Sequence, residues 1–246
     1  MIIYGDYHTH STYSDGKGSI LDNAIVAKNK GLKEFAITDH GFTHKLYGVK
    51  RSQIESVKLD IEKAKSATGV NILLGIEENL TSLEGNTGII ESDLDFLNIV
   101  NVGYHKMAKA DTKKDFFKLF LPNNLKWYTK RQIEKNTICV LKAIETQPIN
   151  IITHLGVGMP VNVEEVARLA KQKGVFIELN GKRISFTNKD MESLMKYDTD
   201  FILNSDAHRP ELIGDVRYGM KYVLKYHIPD KNIVNLDKRP NFKKLK

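Results

Sequence analysis

Hydrophobic positions in this chain fall into short runs rich in β-branched residues, and most runs are followed by a stretch with helical spacing. The runs are Ile2–Tyr7, Phe35–Thr38, Asn71–Leu74, Leu97–Val102, Ile149–Thr153, Val175–Leu179 and Phe201–Leu203. Amphipathic helices are predicted near Ile20–Lys30, Ser52–Ala67, Thr129–Glu145, Val163–Lys173, Lys189–Lys196 and Pro210–Tyr226. Glycines stand where helices should stop, as in Lys30-Gly31, Thr68-Gly69 and Lys173-Gly174. Strands that alternate with helices imply a parallel sheet, because parallel neighbours need a crossover connection. Such units close into a barrel or open into a doubly wound sheet. No repeat, low-complexity segment or linker divides the chain, so residues 1–246 are expected to form one domain with a basic tail over about 238–246.

The polar residues beyond each run favour the barrel. After the first run come His8, His10 and Asp15; after the second, Asp39 and His40; then Glu77, His105 and His154 after the third, fourth and fifth. The sixth is followed by Asn180, Lys182 and Arg183, and the seventh by Asp206 and His208. In a closed barrel the C-terminal strand ends share one mouth, whereas an open sheet spreads them along an edge. His8 and His10 stand two apart at a strand end, so both imidazoles point to one face, and Asp206 and His208 repeat that spacing. Mixed imidazole and carboxylate donors without thiolates suit Zn²⁺, Mn²⁺ or Fe²⁺ in an open site. Nine such residues are too many for one tetrahedral ion, so two or three divalent ions are expected. His44 and His227 lack this context and read as surface or packing residues.

Composition narrows the class. With 41% hydrophobic and 27% charged residues the chain is an ordinary globular one, and no apolar run approaches the roughly 20 residues that span a bilayer. MIIYGDYHTH shows no secretory pattern, and the lone Cys139, on an apolar helix stripe, reads as a core thiol; both fit a cytoplasmic protein. The net charge of +7 invites a nucleic-acid reading, but KRPNFKKLK at the end supplies five of those charges and leaves the body near +2. That tail reads as a solvated end.

DYHTHSTYSDG (6–16), ITDHG (37–41), GIEEN (75–79), Gly103–His105, ITHLG (152–156) and NSDAH (204–208) together resemble the polymerase-and-histidinol-phosphatase (PHP) family of metallohydrolases. The resemblance implies a distorted (β/α)7 barrel with the metal site at the C-terminal ends of its strands. It also implies three ligand sets: His8, His10, Glu77 and Asp206; Glu77, His105 and His154, with Glu77 bridging; and Asp15, His40 and His208. Asp15 stands where some members carry histidine. The segment from His105 to His154 is longer than in the shorter relatives and holds Phe116, Phe117, Phe120, Trp127 and Tyr128; it reads as a pocket cover, an oligomer contact or a packed helix pair.

The expected function is hydrolysis of a small phosphomonoester through hydroxide generated on the metals, since coordination lowers the pKa of water from about 16 toward 7. Histidinol phosphate is one candidate substrate. Asp206, Glu77 and Asp39 are the expected catalytic residues, with Asp39 orienting a neighbouring histidine; Lys182, Arg183 and Arg209 are the expected phosphate contacts. The alternatives are a PHP-type nuclease acting on nucleic-acid ends and a non-catalytic metal-binding module. Low body charge and the absence of aromatic-basic interleaving weigh against the first, retention of every ligand type against the second.

Overall fold

A computed structural model describes residues 3–245. Ile2, where the first predicted run begins, and Lys246, at the end of the basic tail, lie outside the described residues. Seven parallel strands form one sheet in sequence order: β1 (Gly5–Thr9), β2 (Glu34–Ile37), β3 (Asn71–Asn79), β4 (Ile99–Gly103), β5 (Ile151–Ile152), β6 (Phe176–Asn180) and β7 (Phe201–Asn204). Helices α1 (Ile20–Asn29), α2 (Ile54–Thr68), α3 (Lys113–Asp115), α4 (Leu121–Asn124), α5 (Lys130–Thr146), α6 (Val163–Lys173), α7 (Asn188–Lys196) and α8 (Arg217–Lys225) accompany them. Ser19 caps α1 reciprocally with Asp22, Asn162 caps α6, and Gly69 and Gly174 end α2 and α6 in the left-handed conformation.

The sheet curls into a nearly closed (β/α)7 barrel. At the C-terminal strand ends the first and last strands meet directly: His10 N donates to Ala207 O at 2.8 Å and Tyr7 N to the Asn204 side chain at 2.9 Å. Lower down, the segment around Asn235 fills the seam. Its carboxamide accepts from Leu203 N at 3.0 Å and donates to Gly5 O at 2.9 Å and Leu203 O at 2.7 Å, so backbone groups at the seam are satisfied by one side chain. The apolar interior at the barrel's lower end holds Tyr7, Ala36, Leu73, Ile99, Ile151, Phe176 and Ile202, while a larger core lies between strands and helices.

Three local expectations change. The tail is docked: Arg239 Nε pairs with Glu34 at 3.0 Å, and the Phe242 ring lies edge-on to Tyr7 at 5.0 Å, against the lower end of the barrel. The predicted Pro210–Tyr226 helix splits into a turn at Pro210–Leu212 and α8, because Gly214 turns left-handed (φ 71°) to donate its N–H to the buried Asp6. The long segment after β4 packs as helices, with Leu119 and Phe120 buried and a buried amide network linking Asn123, Gln132 and Asn136; Phe117 and Trp127 face outward. Cys139 is fully buried, its thiol pushed up to about 12 by burial.

Candidate metal centre

The nine residues expected as ligands converge at the barrel mouth. Glu77 on β3 is their hub. Its Oε1 lies 2.9 Å from His154 Nε2 and 3.2 Å from His8 Nε2, and its Oε2 lies 3.2 Å from His40 Nδ1, 3.5 Å from His105 Nε2 and 3.7 Å from His10 Nε2. Asp206 Oδ1 faces His10 Nε2 at 3.6 Å and His8 Nε2 at 3.8 Å. Asp15 forms the outer corner, with one oxygen 3.6 Å from His40 Nε2 and the other 3.4 Å from His208 Nε2. The donor atoms fall into three overlapping groups, each spanning less than 4.8 Å: His10, Asp15, His40 and His208; His8, His10 and Asp206; His40, Glu77 and His105. His10 and His40 thus stand between corners rather than in one set each.

Backbone geometry places these groups at a cost. His154 (φ 32°) and Asp206 (φ 54°) both occupy the left-handed region, which non-glycine residues adopt with strain, and such strain persists where surrounding structure enforces it. Gly103 precedes His105 for a steric reason: a Cβ there would stand 2.5 Å from Thr153 Oγ1 and 2.7 Å from His154 Cε1. Only glycine lets the His154 ring lie against β4. The pairing of β1 with β2 shifts register between Asp6 and Thr9, the stretch that carries the buried neighbours Tyr7 and His8.

Buried carboxylates and imidazoles of the site shift one another. Burial opposes ionisation of Glu77 and Asp206, yet His8 and the neighbouring imidazoles hold both carboxyls well below their usual range. Burial works against charge on His8 and His40 too, but the facing carboxylates raise both, His40 to about 9. His10, encircled by imidazoles and fully buried, falls to about 3. Within the described residues, His8 Nε2, both His10 nitrogens, His40 Nδ1 and Asp15 Oδ1 are buried and make no hydrogen bond. Orphaned buried polar atoms are rare in proteins, and five aimed at one space call for a ligand there. Lone pairs from imidazole and carboxylate suit divalent transition ions, so the residues fit a metal cluster.

The expected auxiliary residues divide. Lys182 Nζ reaches Asp206 Oδ1 at 3.2 Å and His208 Nδ1 at 2.7 Å, and an Arg183 terminal nitrogen lies 3.7 Å from Asp206 Oδ2. The Arg209 side chain pairs with Glu211 at 3.8 Å rather than with a candidate ligand, and lines a cleft of about 390 Å³ with Asp15, Lys17, Tyr47 and His208. A groove of about 650 Å³ between α5, α6 and α7 contains none of the nine. Asp39 does not orient a histidine. Its carboxylate accepts from Ser11 N and Ser11 Oγ at 2.6 Å and from Ser14 Oγ at 2.5 Å, and so fixes the turn that carries Asp15.

Two residues escaped the sequence reading. His44 is stacked between His40 (ring centroids 4.7 Å apart) and Tyr47 (5.5 Å), and burial, then the neighbouring His40, hold it down to about 4. Glu178, buried on β6, accepts from His8 Nδ1 at 2.7 Å. The alternation Phe176, Glu178, Asn180 along one face of that strand was the available signal.

The chain is 30% identical over 244 residues to a probable phosphatase of Thermoanaerobacter sp. (strain X514), covering 94% of this chain and 90% of that protein. It is 27% identical to a probable phosphatase of Shewanella halifaxensis, with 94% and 87% covered. In structure it resembles the histidinol phosphate phosphatase of Lactococcus lactis, solved with zinc, L-histidinol and phosphate, at a TM-score of 0.61 and 15% identity over 93% of this chain and 95% of that one. Residues 6–182, from the strand that carries His8 to the Lys182 beside Asp206, match the PHP domain model, and this chain belongs to the PHP family.

Proposed function

We propose that this protein is a metal-dependent phosphatase that hydrolyses a small phosphomonoester. The observation that carries the reading is the ring of imidazoles around Glu77 and Asp206, with five buried donor atoms left unpaired. His8, His10, Glu77 and Asp206 would hold one ion, Glu77, His105 and His154 a second, and Asp15, His40 and His208 a third. Two or three divalent ions bound there supply an activated water and neutralise phosphoryl oxygens.

The chain's own groups supply the rest. Glu77 spreads its charge across two corners and holds the opposing imidazoles in place. Lys182 and Arg183, next to Asp206, add cationic donors where a phosphoryl group approaches, and Arg209 borders the cleft where a leaving group extends. Asp206 is positioned to take up or return a proton beside Lys182, while Asp39 acts by holding the Ser11–Ser14 turn and thereby Asp15. Buried walls keep these charges strongly coupled.

The small charge of the body supports a small substrate over a polynucleotide. Purified protein with Mn²⁺ or Zn²⁺ should hydrolyse p-nitrophenyl phosphate and lose that activity to a chelator. L-histidinol phosphate, in the same assay, tests the substrate suggested by the Lactococcus phosphatase solved with L-histidinol and phosphate. Faster turnover of bis-p-nitrophenyl phosphate or single-stranded DNA would replace this reading with a phosphodiesterase, and metal uptake with no hydrolysis of any of these would leave a binding module.

A further inference from the structure

Glu178 is buried among the candidate ligands and faces His8 and the His154 turn. We propose that Glu178 is a positioning residue for the metal centre, holding the His8 imidazole so that its Nε2 lone pair faces the ions. This rests on the reading of the site as a metal centre.

The argument is one of donors and acceptors. Glu178 Oε1 lies 2.7 Å from His8 Nδ1 and accepts from Asn204 Nδ2 at 3.0 Å; its Oε2 accepts from His154 N at 2.8 Å and Asn180 Nδ2 at 2.8 Å. A carboxylate facing only donors requires the His8 proton on Nδ1. The opposite ring nitrogen is then the one 3.2 Å from Glu77 Oε1 and 3.8 Å from Asp206 Oδ1, where it makes no hydrogen bond. The surrounding amides cannot exchange roles. Asn204 Oδ1 accepts from Tyr7 N at 2.9 Å, and Asn180 Oδ1 accepts from Lys182 N at 2.8 Å and Arg183 N at 3.2 Å. Both are thus bound to offer their NH₂ groups to Glu178. Through these four donors one carboxylate ties together β1, the His154 turn after β5, β6 and β7, the elements that carry His8, His154 and Asp206.

Glu178→Gln makes the consequence measurable. A carboxamide offers one oxygen where two are needed. If its NH₂ faces the ring, His8 must accept at Nδ1 and carry its proton on Nε2, the ligand atom; if it faces the other way, the His154 turn loses its anchor. Either outcome raises the cost of binding metal at the His8 corner. In chelator competition with Zn²⁺ on apo-protein, Glu178→Gln should bind roughly 10- to 100-fold more weakly than wild type, the range found for partners behind a ligand. Nitrogen-15 spectra of histidine-labelled, Zn²⁺-loaded wild type should show His8 protonated at Nδ1, a signature that general packing does not set. Zn²⁺ affinity of the variant within twofold of wild type overturns the proposal. So does a wild-type spectrum with an unprotonated His8 Nδ1, which needs no variant to fold. Wild type that takes up neither Zn²⁺ nor Mn²⁺ sinks the metal-centre reading itself, a result distinct from either.

Discussion

Replacing Glu77 by Gln should remove most of the stability that metal adds to the protein. Glu77 is the group common to His8, His10, His40, His105 and His154, so ions at either inner corner depend on it. An ion bound only by the folded state stabilises it by RT ln(1 + [L]/Kd), about 2.7 kcal/mol when the free ion is at 100 times Kd. For a chain of 246 residues, each kcal/mol moves the melting temperature by about 2–4 °C, hence about 5–11 °C per ion. Two independently bound ions should raise Tm by about 10–20 °C over protein in chelator. Gln is nearly isosteric with Glu and opens no cavity, but it takes a facing carboxylate from His8 and His40, so the apo-variant should also lose stability and the readout is the increment each protein gains from metal. Thermal unfolding of wild type and Glu77→Gln, each in EDTA and in Mn²⁺ or Zn²⁺, measures both effects. Melting of Glu77→Gln with the full wild-type increment would refute the hub role, and a wild-type Tm unchanged by chelator would refute the metal centre.

Metal affinity should tighten as pH rises toward 9, because His8 and His40 are raised above their ordinary values and must lose protons to ligate. Calorimetry at pH 7 in buffers of different ionisation enthalpy should report net proton release on binding. The same shift acts oppositely on apo-protein: the stability that protonated His40 contributes is fully present below about 6.5 and lost as pH rises through about 9, so apo-protein should gain less from alkaline buffer than metal-loaded protein does. Arg209→Ala should raise KM for a phosphomonoester severalfold, and unchanged kinetics would remove Arg209 from the site. Asn235→Ala should cost roughly 3–5 kcal/mol in denaturant unfolding, since it strands Leu203 N, Leu203 O and Gly5 O at the barrel seam; a loss under about 1 kcal/mol would show that water replaces the side chain there.

The sequence revealed helices where packing alone governs them and blurred where a polar demand intervenes. Val163–Lys173 is both the predicted and the observed range of α6, because its apolar stripe, its Asn162 cap and its Gly174 stop agree. β3 runs on through GIEEN to Asn79, past its predicted end at Leu74. Those residues are polar yet pair with Ile99–Gly103 of β4 and are buried, since a barrel interior can satisfy carboxylates that an ordinary core cannot. Hydrophobicity cannot mark such a strand. Glu178 was hidden for the same reason inside an otherwise apolar run, and His44 because stacking between rings leaves no trace in spacing.

What the pattern could not give is the closure that joins the two ends of the chain. His8 and His10 meet Asp206 and His208 only because β1 and β7 come together, through His10 N to Ala207 O, Tyr7 N to Asn204 and Ser205 to Asp6. Each bond at that upper seam lies within two residues of a side chain at the centre. An ion held by His8, His10 and Asp206 would therefore be a clasp across the seam as well as a chemical centre. Its binding energy would oppose local opening of β1 from β7, and loosening of the seam would weaken its binding by the same amount. Amide exchange at Tyr7, His10 and Ser205 should accordingly slow when metal is added, and exchange there that ignores metal would separate the fold's closure from its chemistry.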